Sequence, residues 1–169
     1  DMMKSATTYS DVPLRLAAFP SRNPGDGKIK IVALAETAVG TKLSAASIGI
    51  YDQSGKLVGQ WSATATELAA PSLAAVFVQN PGQYRVRVAV TDTAGRAGTA
   101  DDSVNGTLTS AAGVLTLSGM LLGTPDNGFT PKLQFTNASD AIAYFELYGG
   151  KPNMPVSVAM ELASTLNGP

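Results

Sequence analysis

The sequence contains no cysteine and no histidine among its 169 residues. Disulfide bonds, thiolate nucleophiles and imidazole-based triads or metal sites are therefore excluded from the chemistry of the chain. No Gly-x-Ser-x-Gly or Ser-x-x-Lys motif is present to activate a serine in their place. We therefore expect no catalytic, cofactor-binding or metal-binding residue, no bound cofactor and no enzymatic activity.

Charged residues are also scarce. They make up 15% of the chain, and the net charge is only -1. Such a chain has no long-range field to attract nucleic acid or an anionic membrane. Its apolar runs are shorter than the 18 or so residues typical of a transmembrane helix. We expect no nucleic-acid partner and no membrane insertion.

Alternation of apolar and polar residues is the strongest pattern in the chain, and it is clearest over residues 84–90. Tyr84, Val86 and Val88 alternate there with Arg85 and Arg87. This period of two predicts a β-strand with a buried face and a solvent-exposed face that carries the arginines. Tyr84 stands where β-sandwiches carry a tyrosine whose hydroxyl bonds to upstream backbone, so its predicted role is structural.

Two short segments share the residues of a tight hairpin turn. In each segment an aspartate, Asp52 or Asp92, precedes a glycine, Gly55 or Gly95, by three positions. The aspartate accepts hydrogen bonds from backbone N–H groups two residues on, and the glycine adopts a positive φ without steric cost. Both glycines are predicted to have structural roles.

About seven strands fit between residues 12 and 104, with turns about every dozen residues. This count predicts an immunoglobulin-like or fibronectin-like antiparallel sandwich over residues 1–105. The predicted strands lie at residues 12–16, 28–36, 48–52, 57–61, 73–78 and 84–90, with a return strand that begins at residue 96.

The remainder of the chain predicts a smaller and incomplete β unit. Residues 106–131 are expected to be a connector with one strand at 114–122, and residues 132–169 a partial second domain. Its expected strands, at 132–136, 141–148 and 155–162, are too few to cover their own apolar face. The sandwich, the connector strand, a second copy of the chain or further sequence would have to cover it. An exposed strand edge there also predicts a homodimer by strand pairing.

Four aromatic residues, Trp61, Tyr51, Tyr144 and Tyr148, are candidates for a platform on which a sugar could stack. Half-buried packing is the alternative fate of such side chains in a sandwich. A coplanar, solvent-facing pair among the four would favour the sugar site.

The acidic residues offer little catalytic or metal-binding chemistry. Asp101 and Asp102 are the one adjacent carboxylate pair, but neighbours on a strand point to opposite faces. Calcium at Asp52, Asp92 or Asp101 would lack the closely spaced oxygen ligands of a dedicated loop.

Three segments resemble the β-rich region that follows the von Willebrand factor A-like domain in certain predicted exported bacterial proteins. They are residues 81–98 (PGQYRVRVAVTDTAGRAG), residues 117–123 (LSGMLLG) and residues 12–16 (VPLRL). The first is also similar to many bacterial immunoglobulin-like modules. The resemblance implies a periplasmic, cell-surface or secreted protein with an accessory or surface-interaction role. The metal-binding A-like domain itself lies outside the chain, so its adhesion site is not carried over.

The favoured interpretation is a non-catalytic structural or protein-interaction module of a larger exported bacterial protein. Its partner would be another protein or a neighbouring domain of the same polypeptide. The alternative is a carbohydrate-binding module that uses the aromatic platform.

Overall fold

The computed structural model describes residues 2–126, 128–136, 140–151, 153–161 and 163. Seven strands of six to eleven residues occupy the chain up to residue 106, in the number and order expected from the sequence. They are β1 (Leu14–Arg22), β2 (Ile29–Thr37), β3 (Leu43–Tyr51), β4 (Leu57–Ser62), β5 (Leu73–Gln79), β6 (Gly82–Asp92) and β7 (Ala97–Gly106).

The seven strands form two antiparallel sheets. The three-stranded sheet has the order β1-β2-β5, and the four-stranded sheet has the order β4-β3-β6-β7. The chain crosses between the sheets after β2, after β4 and after β5, so each sheet contains strands from separate parts of the sequence. The chain is all-β, and this part of it is an immunoglobulin-like sandwich.

The inward faces of both sheets build one hydrophobic core. Val86 and Val88 of β6 are 0% exposed and belong to this core. Their alternation with the arginines predicted this burial. Other members are Ile31, Ala33 and Ala35 of β2, Ile48 and Ile50 of β3, and Leu73, Ala75 and Phe77 of β5.

Tyr84 fixes the connection from β5 to β6. Its hydroxyl donates a 2.7 Å hydrogen bond to the carbonyl of Asn80, which is the bond expected from the sequence. A Cβ on Gly106 would lie 3.1 Å from the Tyr84 ring, so glycine lets β7 pass close to it.

The two hairpin turns have the same hydrogen-bond pattern. Asp52 Oδ1 accepts from the N–H groups of Ser54 (2.9 Å) and Lys56 (3.0 Å), and Gly55 has φ +79°. In the second turn, Asp92 Oδ1 accepts from the N–H groups two and four residues later, both at 2.9 Å, and Gly95 also has φ +79°. Their common sequence pattern therefore reflects common turn chemistry.

A short helix between β4 and β5 was not expected. It is α1 (Ala65–Leu68), and it begins with a capping box in which Thr64 accepts from the N–H of Glu67 while the Glu67 side chain accepts from the N–H of Thr64.

The expectation that both arginines of β6 face solvent is wrong for Arg87. This residue is only 3% exposed, because the segment before β1 crosses the outer face of the four-stranded sheet. The guanidinium of Arg87 donates to Asp101 (3.1 Å) and to the carbonyl of Thr7 (2.7 Å). The hydroxyl of Tyr51 donates to the carbonyl of Met3. Both contacts tie the N-terminal segment to the sheet.

After residue 106 the strands are two to four residues long and form two three-stranded sheets. One sheet has the order β13-β9-β8 and the other β11-β10-β12. The strands are β8 (Thr109–Ser110), β9 (Thr116–Leu117), β10 (Leu121–Thr124), β11 (Thr130–Pro131), β12 (Ile142–Tyr144) and β13 (Leu147–Tyr148).

Several strands expected in this part are corrected. The expected connector strand at 114–122 is two strands in different sheets, and the strand at 141–148 is likewise divided into β12 and β13. Residues 132–136 are not a strand, and neither are residues 155–161, while Leu162 lies outside the described residues. Alternation alone does not make a strand, because a strand also needs a hydrogen-bonded neighbour. The division into units at 1–105, 106–131 and 132–169 stays a prediction.

The C-terminal part lies against the outer face of the three-stranded sheet. Gly119 donates a 2.6 Å hydrogen bond to the carbonyl of Pro20 in β1, and Leu133 donates a 2.9 Å bond to the carboxylate of Glu36 in β2. Leu34 of β2 points outward, opposite Ala17, and stands apart from the inter-sheet core, yet it is only 1% exposed. The outer face at Leu34 is therefore covered.

No helix among the described residues is both long and apolar enough to cross a membrane.

Candidate interaction site

Buried and exposed apolar side chains are distributed unevenly between the two parts of the chain. Every fully buried apolar side chain in the described residues lies at or before Val104. Fourteen large apolar side chains are exposed among the described residues, and eleven of them lie beyond residue 106. The eleven are Val114, Met120, Leu122, Phe135, Ile142, Tyr144, Leu147, Met154, Val156, Val158 and Met160. As far as the described residues go, the C-terminal part thus has an apolar surface but no core of its own.

Residues 155–161 are the most exposed apolar segment. Val156, Val158 and Met160 are 45%, 62% and 65% exposed. The segment follows a turn in which the N–H of Met154 donates to the carbonyl of Lys151 at 3.1 Å. Within the part of the chain that the structure describes, the backbone of residues 155–161 forms no hydrogen bond. The segment therefore combines the side-chain pattern of a strand with unpaired backbone groups.

An apolar groove of about 530 Å³ runs between this segment and the sheet β13-β9-β8. Leu115, Leu117, Phe145 and Leu147 line the sheet side, and residues 155–160 line the other. We name this cavity the C-terminal groove. Its volume and its lining are suited to apolar side chains of another chain segment.

Glu146 organises one margin of the C-terminal sheets. Its carboxylate accepts hydrogen bonds from the hydroxyls of Tyr144 (3.0 Å) and Tyr148. The hydrogen bond to Glu146 raises the pKa of Tyr144, and burial together with the same carboxylate raises the pKa of Tyr148. Both tyrosines therefore remain neutral donors around neutrality.

Tyr148 also joins this margin to the sandwich. Its hydroxyl accepts a 3.0 Å hydrogen bond from the N–H of Arg22, and the Arg22 guanidinium lies 5.9 Å from the centre of the ring. The contact fixes the position of β13 relative to β1.

Of the four candidate sugar-binding aromatics, the structure brings Tyr144 and Tyr148 together, at Glu146, and leaves Trp61 and Tyr51 apart from them. Trp61 packs against the core between the sheets, and Tyr51 is buried on the opposite face of the four-stranded sheet, where Arg85 lies 4.4 Å from its ring centre. Tyr144 is exposed but tilted by 37° against Phe129, whose ring centre is 5.6 Å away. The four rings therefore do not form one platform, and carbohydrate binding stays a prediction.

The acidic residues have structural partners. Asp101 binds Arg85 (2.6 Å) and Arg87 (3.1 Å), whereas Asp102 accepts a 2.9 Å bond from the N–H of Ala18, so the two carboxylates diverge. Across the described residues, no three acidic side chains come together in a group that could hold a metal ion.

No protein-family model matches the chain, and no curated protein does so either. The chain is similar to a solved structure, the CARDB domain of a Pyrococcus furiosus protein in complex with di-metal ions. The identity is 15%, the TM-score 0.35, and the match covers 60% of this chain and 94% of that one. At this level of similarity, the sandwich assignment depends on the strand order of the chain itself.

Sequence reasoning identified the alternation in residues 155–161 but missed the C-terminal groove. The residues of its sheet side, Leu115, Leu117, Phe145 and Leu147, alternate over stretches of only three residues, which is too short to stand out.

Proposed function

We propose that the chain is a non-catalytic protein-interaction module of a larger exported bacterial protein. The observation that carries the proposal is the C-terminal groove with its rim of exposed apolar residues, fixed on a sandwich with a complete core. Surfaces of this kind mark sites where another protein segment binds. The partner is another protein or a neighbouring domain of the same polypeptide.

The available side chains support a non-catalytic role. The chain has no histidine or cysteine, and the carboxylates of Asp52, Asp92, Asp101 and Asp102 accept hydrogen bonds that build turns and sheets. Carboxylates engaged in this way are not placed for acid–base work on a bound substrate. With a net charge of -1, the module would also have no attraction for nucleic acid.

Export is part of the proposal and is supported by the resemblance of residues 81–98 and 117–123 to a region of exported bacterial proteins. A cysteine-free sandwich keeps its structure in an oxidising compartment without disulfide chemistry. Fractionation of cells that produce the parent polypeptide would test this, and recovery in the cytoplasm would contradict it.

The dye 8-anilinonaphthalene-1-sulfonate tests whether the groove is accessible, since its fluorescence increases on apolar protein surfaces. We expect binding by the dilute full chain and at least a fivefold loss of affinity in the Leu117→Asp, Met160→Asp double variant. Val39→Asp is the matched control, because Val39 is fully exposed in the loop between β2 and β3. Absence of dye binding by the full chain would refute an accessible groove.

A glycan array distinguishes the carbohydrate-binding alternative from the protein-interaction module. We expect no glycan to bind. Binding that is lost in Tyr144→Ala but retained in the groove double variant would replace the proposed function with the carbohydrate-binding one.

A further inference from the structure

We propose that residues 155–161 are a β-strand through which two copies of the chain pair in antiparallel orientation, with the two-fold axis at Val158. The inference rests on the proposed function, because the same C-terminal surface is used. It goes further by naming the occupant as a second copy of this chain.

The backbone of residues 155–161 is free to pair. A segment whose N–H and C=O groups lack partners can add as a strand to another chain. Residues 155–161 meet this condition along their whole length, since they follow the Lys151 to Met154 turn and form no backbone hydrogen bond among the described residues. Seven residues are a usual length for a β-strand.

The segment is complementary to itself in this register. With Val158 opposite Val158, Val156 of one copy lies opposite Met160 of the other, and Ser157 lies opposite Ala159. Residues directly opposite each other in an antiparallel pair share a face. The three apolar side chains of each copy therefore lie on one face of the pair, and residues 155–160 line the groove in each copy.

The charge of Glu161 favours the antiparallel register. Glu161 is the one ionisable residue of the segment, and the antiparallel register places it opposite Pro155 of the other copy. Parallel in-register pairing would instead place the two Glu161 side chains opposite each other, which is destabilising. Pro155, which lacks an N–H, lies at the end of the pair, where proline is tolerated. The segment thus favours antiparallel pairing with a second copy.

Disulfide trapping tests the register directly, because the chain has no cysteine of its own. In Val158→Cys the two Cα atoms would be about 4.5–5.5 Å apart, within reach of a disulfide. In Ser157→Cys they would be about 8 Å apart, beyond that reach. We expect mild oxidation to cross-link Val158→Cys, to leave Ser157→Cys without a cross-link, and to cross-link a mixture of Ser157→Cys with Ala159→Cys. Equal cross-linking of both single variants would overturn the register.

Analytical ultracentrifugation of the full chain without engineered cysteines tests whether two copies pair when no disulfide joins them. We expect a concentration-dependent dimer whose Kd increases at least tenfold in Val158→Lys, because two like charges then meet at the axis. Mixing Val158→Lys with Val158→Glu should restore the dimer, and the control Val39→Lys should behave as the parent.

The outcomes distinguish this inference from the proposed function. A chain that stays monomeric at high concentration but binds the dye in its groove refutes the pairing and leaves the interaction module standing. A dimer that is unaffected by Val158→Lys also refutes the pairing, because its contacts then lie elsewhere. Absence of dye binding by the dilute chain refutes the proposed function itself.

Discussion

The backbone N–H of Leu133 donates a 2.9 Å hydrogen bond to the carboxylate of Glu36, a residue that lies 97 positions earlier in the chain. Glu36 is buried on the outer side of β2, where a carboxyl group needs a hydrogen-bond partner. The bond therefore supplies that partner and ties the C-terminal part to the sandwich.

Glu36→Ala should destabilise the chain by about 1 to 3 kcal/mol, because it leaves the N–H of Leu133 without its acceptor. Glu36→Gln retains an acceptor oxygen and should cost less. Urea unfolding gives both values. An alanine variant as stable as the parent would show that the two parts are not coupled through this bond.

Arg87→Leu should destabilise the chain by about 2 to 3 kcal/mol, since it removes charge-assisted bonds from a buried site. It should also release the N-terminal segment, which limited proteolysis would detect as cleavage before residue 12. Arg85→Leu is the matched control, because the Arg85 side chain is 42% exposed and exposed ion pairs contribute at most about 1 kcal/mol. Equal costs for the two variants would contradict the burial of Arg87.

The burial of Arg87 shows where sequence reasoning is limited. Alternation places Arg85 and Arg87 correctly on the outer face of β6, but it cannot show that residues 2–10 cross that face. A segment without periodicity covers the sheet through single contacts, such as that of Thr7 with Arg87. The seven strands and both hairpins were predictable because each depends on local alternation or on turn residues.

The C-terminal part was less predictable for a related reason. Apolar and polar residues alternate in residues 155–161 as clearly as they do in β6. Alternation does not, however, show which strand would pair with the segment in a sheet. The short strands β8 to β13 have two to four residues each, which is too few for a period to emerge. Their positions depend on long-range contacts such as that between Gly119 and Pro20.

Tyr84→Phe should destabilise the chain by about 1 kcal/mol, the usual contribution of one hydrogen bond. The ring remains in place beside Gly106, so packing should not change. Thermal unfolding of parent and variant measures the difference. An unchanged melting temperature would show that the hydroxyl bond to Asn80 contributes nothing.

Asp92→Asn should change how stability depends on pH. Burial acts to raise the pKa of Asp92, but the hydrogen bonds from the backbone and side chain of Arg96 prevail and lower it. Because the pKa is lower in the folded than in the unfolded chain, the contribution is present above about pH 3.9 and is lost as the pH falls through the folded-state pKa. The parent should therefore be more stable than the variant at pH 7, and the gap should close in acid. Unfolding curves between pH 7 and pH 2 measure the difference in free energy of unfolding between parent and variant. A difference that stays constant over this range would contradict the lowered pKa of Asp92.

The most direct test of the account is hydrogen–deuterium exchange of the dilute full chain, followed by mass spectrometry. The central claim is that a complete sandwich carries a C-terminal surface in which residues 155–161, among the described residues, form no backbone hydrogen bond. We predict strong protection of the amides of β3 and β6, and exchange of the amides of residues 156–161 at nearly the rate of an unstructured peptide. Protection of residues 156–161 equal to that of β6 in the dilute monomer would contradict the claim, because the segment would then be paired within its own chain.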